Sequence, residues 1–174
     1  MSDERTVEGA STSAGRDDGV ELKLEEFLPY RLNVVSSLTS QALSSIYAEQ
    51  YRIGVPEWRV LVTLGQYGTM TGKMVGTHSH MHKTKVSRAV ALLERRKLVS
   101  RRANKADMRE AFLSLTPAGR SIYEELAPIA LEFVARLGKD LNPADRATFE
   151  RVLTLLIDRA AALANERSSM RALG

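Results

Sequence analysis

The sequence predicts a mainly α-helical protein with one short β-hairpin. After residue 20, apolar residues recur at steps of three and four along much of the chain, which is the period of amphipathic helices. Two short segments, residues 98–103 and 110–115, are typical of strands, and a polar turn at Asn104–Arg109 joins them. A short helix and then a longer helix precede this hairpin. This order predicts an α/β winged helix-turn-helix in which the hairpin is the wing.

Three helices are predicted in the N-terminal part of the chain. The first covers about residues 25–50, with Pro29 in its first turn, where the missing N–H does no harm. Pro56 opens the second helix, which carries apolar residues at helical spacing. Thr71 can cap a third helix over residues 72–78, because its hydroxyl can accept a backbone N–H of the first turn.

The C-terminal third carries the start signals of two long helices. Thr116 and Pro117 are a typical N-cap and first residue, Gly138 ends the helix, and Pro128 predicts a kink within it. Asn142-Pro143 opens the last helix. The long helices at both ends of the chain have apolar stripes that must be buried. We therefore expect N- and C-terminal dimerisation helices that bury these stripes against a second copy of the chain.

Composition excludes several classes of protein. The 174 residues include no cysteine, which excludes disulfide scaffolds, cysteine-ligated zinc, iron–sulfur clusters and thiol nucleophiles. No stretch approaches the roughly 18 apolar residues of a membrane helix, and no secretory signal is apparent, so we expect a cytoplasmic protein with no membrane partner. The sequence lacks a nucleophile–His–acid set, a phosphate loop and a metalloprotease motif, so we do not expect an enzyme.

Positive charge is concentrated in the predicted helix and hairpin. The whole chain has a net charge of +4, whereas residues 83–110 hold ten Lys and Arg against three acids, which leaves +7 there and −3 elsewhere. A basic block on a near-neutral body is typical of a protein that binds a polyanion. We therefore expect double-stranded DNA as a partner.

The basic helix has the pattern of a helix that reads a DNA groove. Its polar face carries Thr84, Lys85, Ser87 and Arg88 at the N-terminal half, which points into the major groove in helix-turn-helix proteins. Arg88 can pair bidentately with guanine, a contact that discriminates between bases by about 1–3 kcal/mol.

The hairpin supplies a second set of cations. Arg101, Arg102 and Lys105 are expected to contact phosphates, and Arg109 at the tip is expected to enter the minor groove. Asp107 would be repelled by DNA, so we expect it to hold the tip by pairing with an arginine. The organisation that follows is a disordered tail over residues 1–20, a domain over 21–165 with a DNA-binding core at about 55–116, and a flexible tail over 166–174.

Three segments in this order resemble the MarR family of bacterial transcriptional regulators. The family's wing is similar to Asp107–Gly119, which reads D-M-R-E-A-F-L-S-L-T-P-A-G. Its recognition helix is similar to Lys83–Val99, which reads K-T-K-V-S-R-A-V-A-L-L-E-R-R-K-L-V. Its second helix is similar to Val55–Leu61, which reads V-P-E-W-R-V-L. The resemblance covers about residues 25–160. His82 departs from the family pattern, because many relatives carry a small or acidic residue there. The resemblance implies a homodimeric repressor on a near-palindromic operator, with half-sites about 10 bp apart.

The resemblance also implies an effector pocket between the dimerisation helices and the winged domain. Candidate lining residues are Tyr30, Arg31, Tyr51 and Trp58, in which Arg31 would neutralise an anion and the rings would stack on an aromatic group. The P-Y-R-L-N segment and the second helix look most like relatives that control the catabolism of aromatic compounds such as phenolic acids and hydroxycinnamates. We therefore expect an aromatic acid or its acyl-CoA thioester as the effector. The alternative interpretation of Trp58 is that it belongs to the core.

Three histidines between the predicted helices leave a metal interpretation open. His78 and His82 are four residues apart, which would suit zinc on one helix, and His80 lies between them. The turn of the helix-turn-helix is expected to break that register, and no clear carboxylate partner is near. We expect these histidines to contact phosphate or to form the turn, with no metal and no cofactor. A metal-responsive or a ligand-independent DNA-binding regulator is the alternative function.

Overall fold

The computed structural model describes residues 21–104 and 110–172. The described part of the chain divides into two units between Thr39 and Ser40; residues 21–39 are called the first unit and the described residues from Ser40 onward the second unit. The helices and strands, in chain order, are α1 (Leu28–Tyr51), α2 (Val55–Tyr67), β1 (Met70–Thr71), α3 (Gly72–Ser79), α4 (Lys83–Arg95), β2 (Val99–Ala103), β3 (Ala111–Leu115), α5 (Pro117–Leu137) and α6 (Pro143–Ala172). The predicted fold class is confirmed: a mainly helical chain with a small antiparallel sheet in the winged helix-turn-helix arrangement.

The helix starts lie where the capping residues predict them. The Thr71 hydroxyl accepts the Met74 N–H at 3.4 Å, and the Thr116 hydroxyl accepts the Gly119 N–H at 3.1 Å. Each of these bonds satisfies one of the four backbone donors that a helix N-terminus leaves without an intrahelical partner. α6 runs to Ala172, past residue 166, where the sequence suggests a flexible tail. The tail predicted over residues 1–20 lies outside the described residues.

The wing contains one more strand than the predicted hairpin. The sheet has the order β1-β3-β2, with Met70 paired to Leu113 on one side of β3 and Val99 paired to Leu115 on the other. β1 has only two residues, so no alternation of apolar and polar residues could reveal it. By joining the start of α3 to the central strand, β1 ties the helix-turn-helix to the wing.

The core of the second unit lies between α2, α4 and the sheet. The inward stripe predicted for α4 is buried, and it packs with apolar residues of α2, α3 and β3; the cluster includes Val60, Leu61, Leu64, Val75, Val86, Ala89, Val90, Leu93 and Leu113. Burial of one such side chain stabilises a fold by roughly 1.5–3 kcal/mol. This packing fixes which face of α4 points outward.

The start of α5 is locked onto the turn between α4 and β2. The Thr116 N–H donates to the Leu98 carbonyl at 3.0 Å, and its hydroxyl donates to the Lys97 carbonyl at 2.7 Å. Gly119 packs so closely here that a Cβ atom on it would lie 2.0 Å from the Leu98 oxygen. The backbone of α5 therefore touches the backbone that joins α4 to β2.

α5 and α6 carry large apolar side chains that one copy of the chain leaves in solvent. On α5, Leu131 is 71% exposed and Leu137 is 61% exposed, and on α6 Phe149 is 55% exposed and Leu163 is 62% exposed. None of the described side chains of α6 is buried. A monomeric protein seldom exposes so much apolar surface on two successive helices. In the part of the chain that the structure describes, no helix is long and apolar enough to cross a membrane.

Candidate nucleic-acid interface

The outward face of α4 carries the four predicted recognition residues. Thr84, Lys85, Ser87 and Arg88 are all exposed, while the residues between and after them pack into the core. We call these four side chains the recognition face. Because the helix buries its apolar stripe on one side, its Ser, Thr, Lys and Arg groups are presented together on the other. Such a face can donate and accept hydrogen bonds at the edges of bases and at phosphates.

His82 caps α4. Its backbone is extended, and its Nδ1 accepts the Thr84 N–H at 3.4 Å, as a serine or aspartate would at an N-cap. The other histidines have different surroundings: His78 stacks on Tyr67 with ring centroids 4.3 Å apart, and His80 takes the left-handed conformation that ends α3. Among the described residues, no group of three His, Asp or Glu side chains is placed to hold a metal ion.

A cavity of about 630 Å³ adjoins the recognition face. It lies between α3, the start of α4 and the sheet, and the charged side chains that line it are Lys73, Lys83, Arg101 and Glu110. Lys73 and Thr77, four residues apart on α3, both line the cavity, and neither was among the residues predicted from the sequence. Their spacing on one helix face was the available signal. The positive charge of this cavity suits a phosphate group.

Arg101, one of the cationic side chains predicted in the wing, forms an ion pair. Arg101 donates from Nε and Nη2 to the two carboxylate oxygens of Glu94, each at 2.9 Å. This bidentate bond raises the pKa of Arg101 and ties β2 to α4. Arg102, its neighbour, is exposed on β2. Lys105, Asp107 and Arg109 lie outside the described residues.

The four predicted effector residues fall into two groups. Tyr30 and Arg31 lie on the first half of α1 in the first unit, and both are exposed. Tyr51 and Trp58 belong to the second unit, where Trp58 is only 9% exposed and stacks on Tyr47 with ring centroids 5.3 Å apart. The structure therefore places Trp58 in the core, as the alternative interpretation of this residue expected.

Tyr51 is at the centre of a polar cluster. Its phenol donates to Glu125 Oε2 at 2.6 Å, and the Ser121 hydroxyl donates to Glu125 Oε1 at 2.9 Å. The bond from Tyr51, and next that from Ser121, lowers the pKa of Glu125, and the same Tyr51–Glu125 bond raises the pKa of Tyr51. A hydrogen bond to the ionised carboxylate favours its charged form, while the donated phenol proton is harder to remove.

We expect Tyr51→Phe to return the pKa of Glu125 towards its usual value of 4.5. The stability that the bond contributes is present above the unfolded glutamate pKa and is lost as the pH falls through the lower folded value. It is also lost above pH 10.0, as the pH rises through the raised pKa of Tyr51. Carboxyl-carbon NMR titration of both proteins measures the shift, with Ser121→Ala as the weaker control. An unchanged Glu125 titration would contradict the bond.

The segment that contains α4 resembles a known protein family. Residues 53–111 match the model of the MarR family. This segment runs from just before α2 to the start of β3, and so includes α4 and β2. A comparison with curated proteins finds no significant match.

Solved structures with the same fold include transcriptional regulators. SPO1453 from Silicibacter pomeroyi DSS-3, of the MarR family, is 28% identical with a TM-score of 0.70, over 80% of this chain and 99% of that one. Sco3205 from Streptomyces coelicolor, a MarR family regulator solved in complex with DNA, is 20% identical with a TM-score of 0.71, over 82% and 92%. Bordetella bronchiseptica BpsR, whose DNA binding is regulated by 6-hydroxynicotinic acid, is 23% identical with a TM-score of 0.62, over 72% and 98%. Residues 53–111 therefore resemble the MarR family, and the chain shares its fold with these solved transcriptional regulators.

Proposed function

We propose that the protein is a homodimeric, ligand-responsive repressor that binds a near-palindromic operator. The observation that carries this proposal is the recognition face of α4, exposed beside a cationic cavity and a basic wing. MarR family members regulate transcription and are not enzymes. The repressor role, the dimer and the effector are parts of the same proposal, and the dimer and the effector are tested together with DNA binding.

The recognition face is proposed to read the major groove. Arg88 is the residue suited to a bidentate contact with guanine, and the hydroxyls of Thr84 and Ser87 suit phosphates or base edges. The N-terminus of α4 adds backbone N–H groups and a partial positive charge that favour phosphate. Lys73 and Lys83 line the cavity beside the recognition face and would hold the DNA phosphate backbone in register. Lys105 and Arg109 are proposed for phosphate and the minor groove.

A second copy of the chain is proposed to cover the apolar faces of α5 and α6. These helices expose leucine, valine, isoleucine and phenylalanine side chains that would cost free energy in water. A dimer with two-fold symmetry presents two recognition helices to DNA, so the operator should contain two related half-sites about 10 bp apart.

The effector is proposed to be an aromatic acid or its CoA thioester. Support comes from the resemblance to regulators of aromatic catabolism and from BpsR, a relative in fold that responds to 6-hydroxynicotinic acid. Arg31 and Tyr30, exposed on α1, are the proposed contacts for its carboxylate and ring. An effector releases DNA only if it binds the DNA-incompetent state more tightly than the competent one.

The proposal is tested by selecting duplexes from a random pool with the whole protein and measuring affinities at several salt concentrations. We expect an inverted repeat, bound at least about a thousandfold more tightly than random duplex. The effector is tested by repeating these titrations with a panel of aromatic acids, free and as CoA thioesters. The effector should weaken the binding of the protein to DNA. A monomer in sedimentation, or equal affinity for all sequences, would overturn the proposal. If the protein binds the operator specifically and no acid alters this binding, the protein is a ligand-independent regulator.

A further inference from the structure

The end of α1 presents two backbone carbonyl groups to the rest of the second unit. The helix stops at Tyr51, and Arg52 takes a left-handed conformation with φ of 50°. The last carbonyl groups of a helix have no intrahelical partner and need one from elsewhere. Directly after this turn, Ile53 is 2% exposed, so the chain enters the core at once. The position of this turn is therefore coupled to the packing of the domain.

Arg96, at the end of the recognition helix, supplies the missing partner. Its Nη1 donates to the Arg52 carbonyl at 3.0 Å, and its Nη2 donates to the Tyr51 carbonyl at 2.6 Å. The planar guanidinium can make both bonds at once because its two terminal nitrogens form a rigid fork. A lysine ammonium has no such fork. Arg96 thus ties the C-terminal end of α4 to the C-terminal end of α1.

The side chain of Tyr51 extends the same connection to α5. While its carbonyl accepts from Arg96, its phenol donates to Glu125, which also accepts from Ser121. One residue at the end of α1 is thereby held by α4 and by α5 together. α5 leads into the apolar surface that we propose for the dimer.

We infer that Arg96, Tyr51 and Glu125 form a joint that sets the direction of the recognition helix, and that Arg96 is a positioning residue for DNA binding. This inference rests on the proposed function. α4 has 13 residues, so its N-terminal end lies about 20 Å from Arg96. A rotation of about 10° at the joint would move the recognition face by about 3 Å, which is enough to break contacts with bases.

A direct phosphate contact by Arg96 would be the simpler role for an exposed cation. Against it, both terminal nitrogens of Arg96 are already engaged by carbonyl groups, and Arg96 follows the C-terminal end of α4, whereas the recognition face occupies the N-terminal half. The two roles differ in salt dependence, since losing a phosphate contact lowers the salt slope of binding by about one.

The joint is tested with Arg96→Ala and Arg96→Lys in the full-length protein, with Arg95→Ala as the matched loss of one neighbouring exposed cation. Amide exchange of the segment around residues 48–53 should speed up about tenfold in both Arg96 variants and stay unchanged in the control. At a temperature where every variant is folded, both Arg96 variants should bind the operator about tenfold more weakly with an unaltered salt slope. They should also discriminate less against operators whose spacing is changed by one base pair.

Each result decides the question. Unchanged exchange in both Arg96 variants would overturn the joint, and faster exchange with normal operator affinity would overturn the positioning role. Full recovery by Arg96→Lys, or a lower salt slope, would make Arg96 a phosphate contact instead. If the unaltered protein binds no duplex, the proposed function fails, while the exchange experiment still decides whether the joint exists.

Discussion

Gly119→Ala should destabilise the protein by about 3 kcal/mol or more. The added Cβ would lie 2.0 Å from the carbonyl oxygen of Leu98, far inside van der Waals contact. That oxygen cannot easily move, because it also accepts the Thr116 N–H at 3.0 Å. Relief of the clash would therefore separate the start of α5 from the turn that leads into the wing. For a chain of this length the melting temperature should fall by about 6–12 °C.

Gly72→Ala is the matched control for this substitution. At Gly72 the nearest atom to an added Cβ is Leu113 Cδ1 at 4.0 Å, which is ordinary contact. The same chemical change should therefore be neutral, or stabilising by up to about 1 kcal/mol, because alanine restricts the unfolded chain. Thermal unfolding followed by circular dichroism measures both variants. Equal melting temperatures for the two would contradict the close packing at Gly119.

Arg88→Ala should weaken operator binding by roughly 10- to 100-fold and relax the preference for one base in each half-site. The expected loss corresponds to about 1–3 kcal/mol for each bidentate contact with guanine. Arg88 is exposed on the recognition face, and its neighbours on the buried side hold the helix in place. The variant should therefore keep its melting temperature. Gel-shift titration against the selected operator and against variants at each position measures both effects.

Two further substitutions separate base reading from charge. Arg88→Lys keeps the charge and loses the fork, so it should bind random duplex normally and lose discrimination at the affected base pair. Lys139→Ala removes an exposed cation outside α4 and the wing, and should leave operator affinity within about twofold. If Arg88→Ala and Lys139→Ala bind the operator with equal affinity, the assignment of Arg88 to the major groove is wrong.

The elements whose signals are local were predicted well. Thr71 and Thr116 cap helices because a hydroxyl needs a backbone N–H only three residues away. The recognition face emerged from the period of α4, since burying Val86 and Leu93 leaves Arg88 on the opposite side. Lys105 and Arg109, which lie outside the described residues, stay predictions.

Other features depend on residues that are distant in sequence. The sequence left Trp58 open between a ligand contact and the core, and the structure buries it against Tyr47. Arg101 looked like a free phosphate contact, whereas the fold brings Glu94 within 2.9 Å of it. β1 was missed because its partner strand lies some forty residues away along the chain.

The sequence alone determined the order of the helices, the basic wing and the face that α4 turns outward. These follow from spacings of two to four residues, over which backbone geometry imposes its own period. The tertiary structure alone decided which groups the side chains contact. Arg96, for example, binds carbonyl groups that lie 44 and 45 residues before it in the chain. No local period encodes such contacts, because they form only when separate helices pack together.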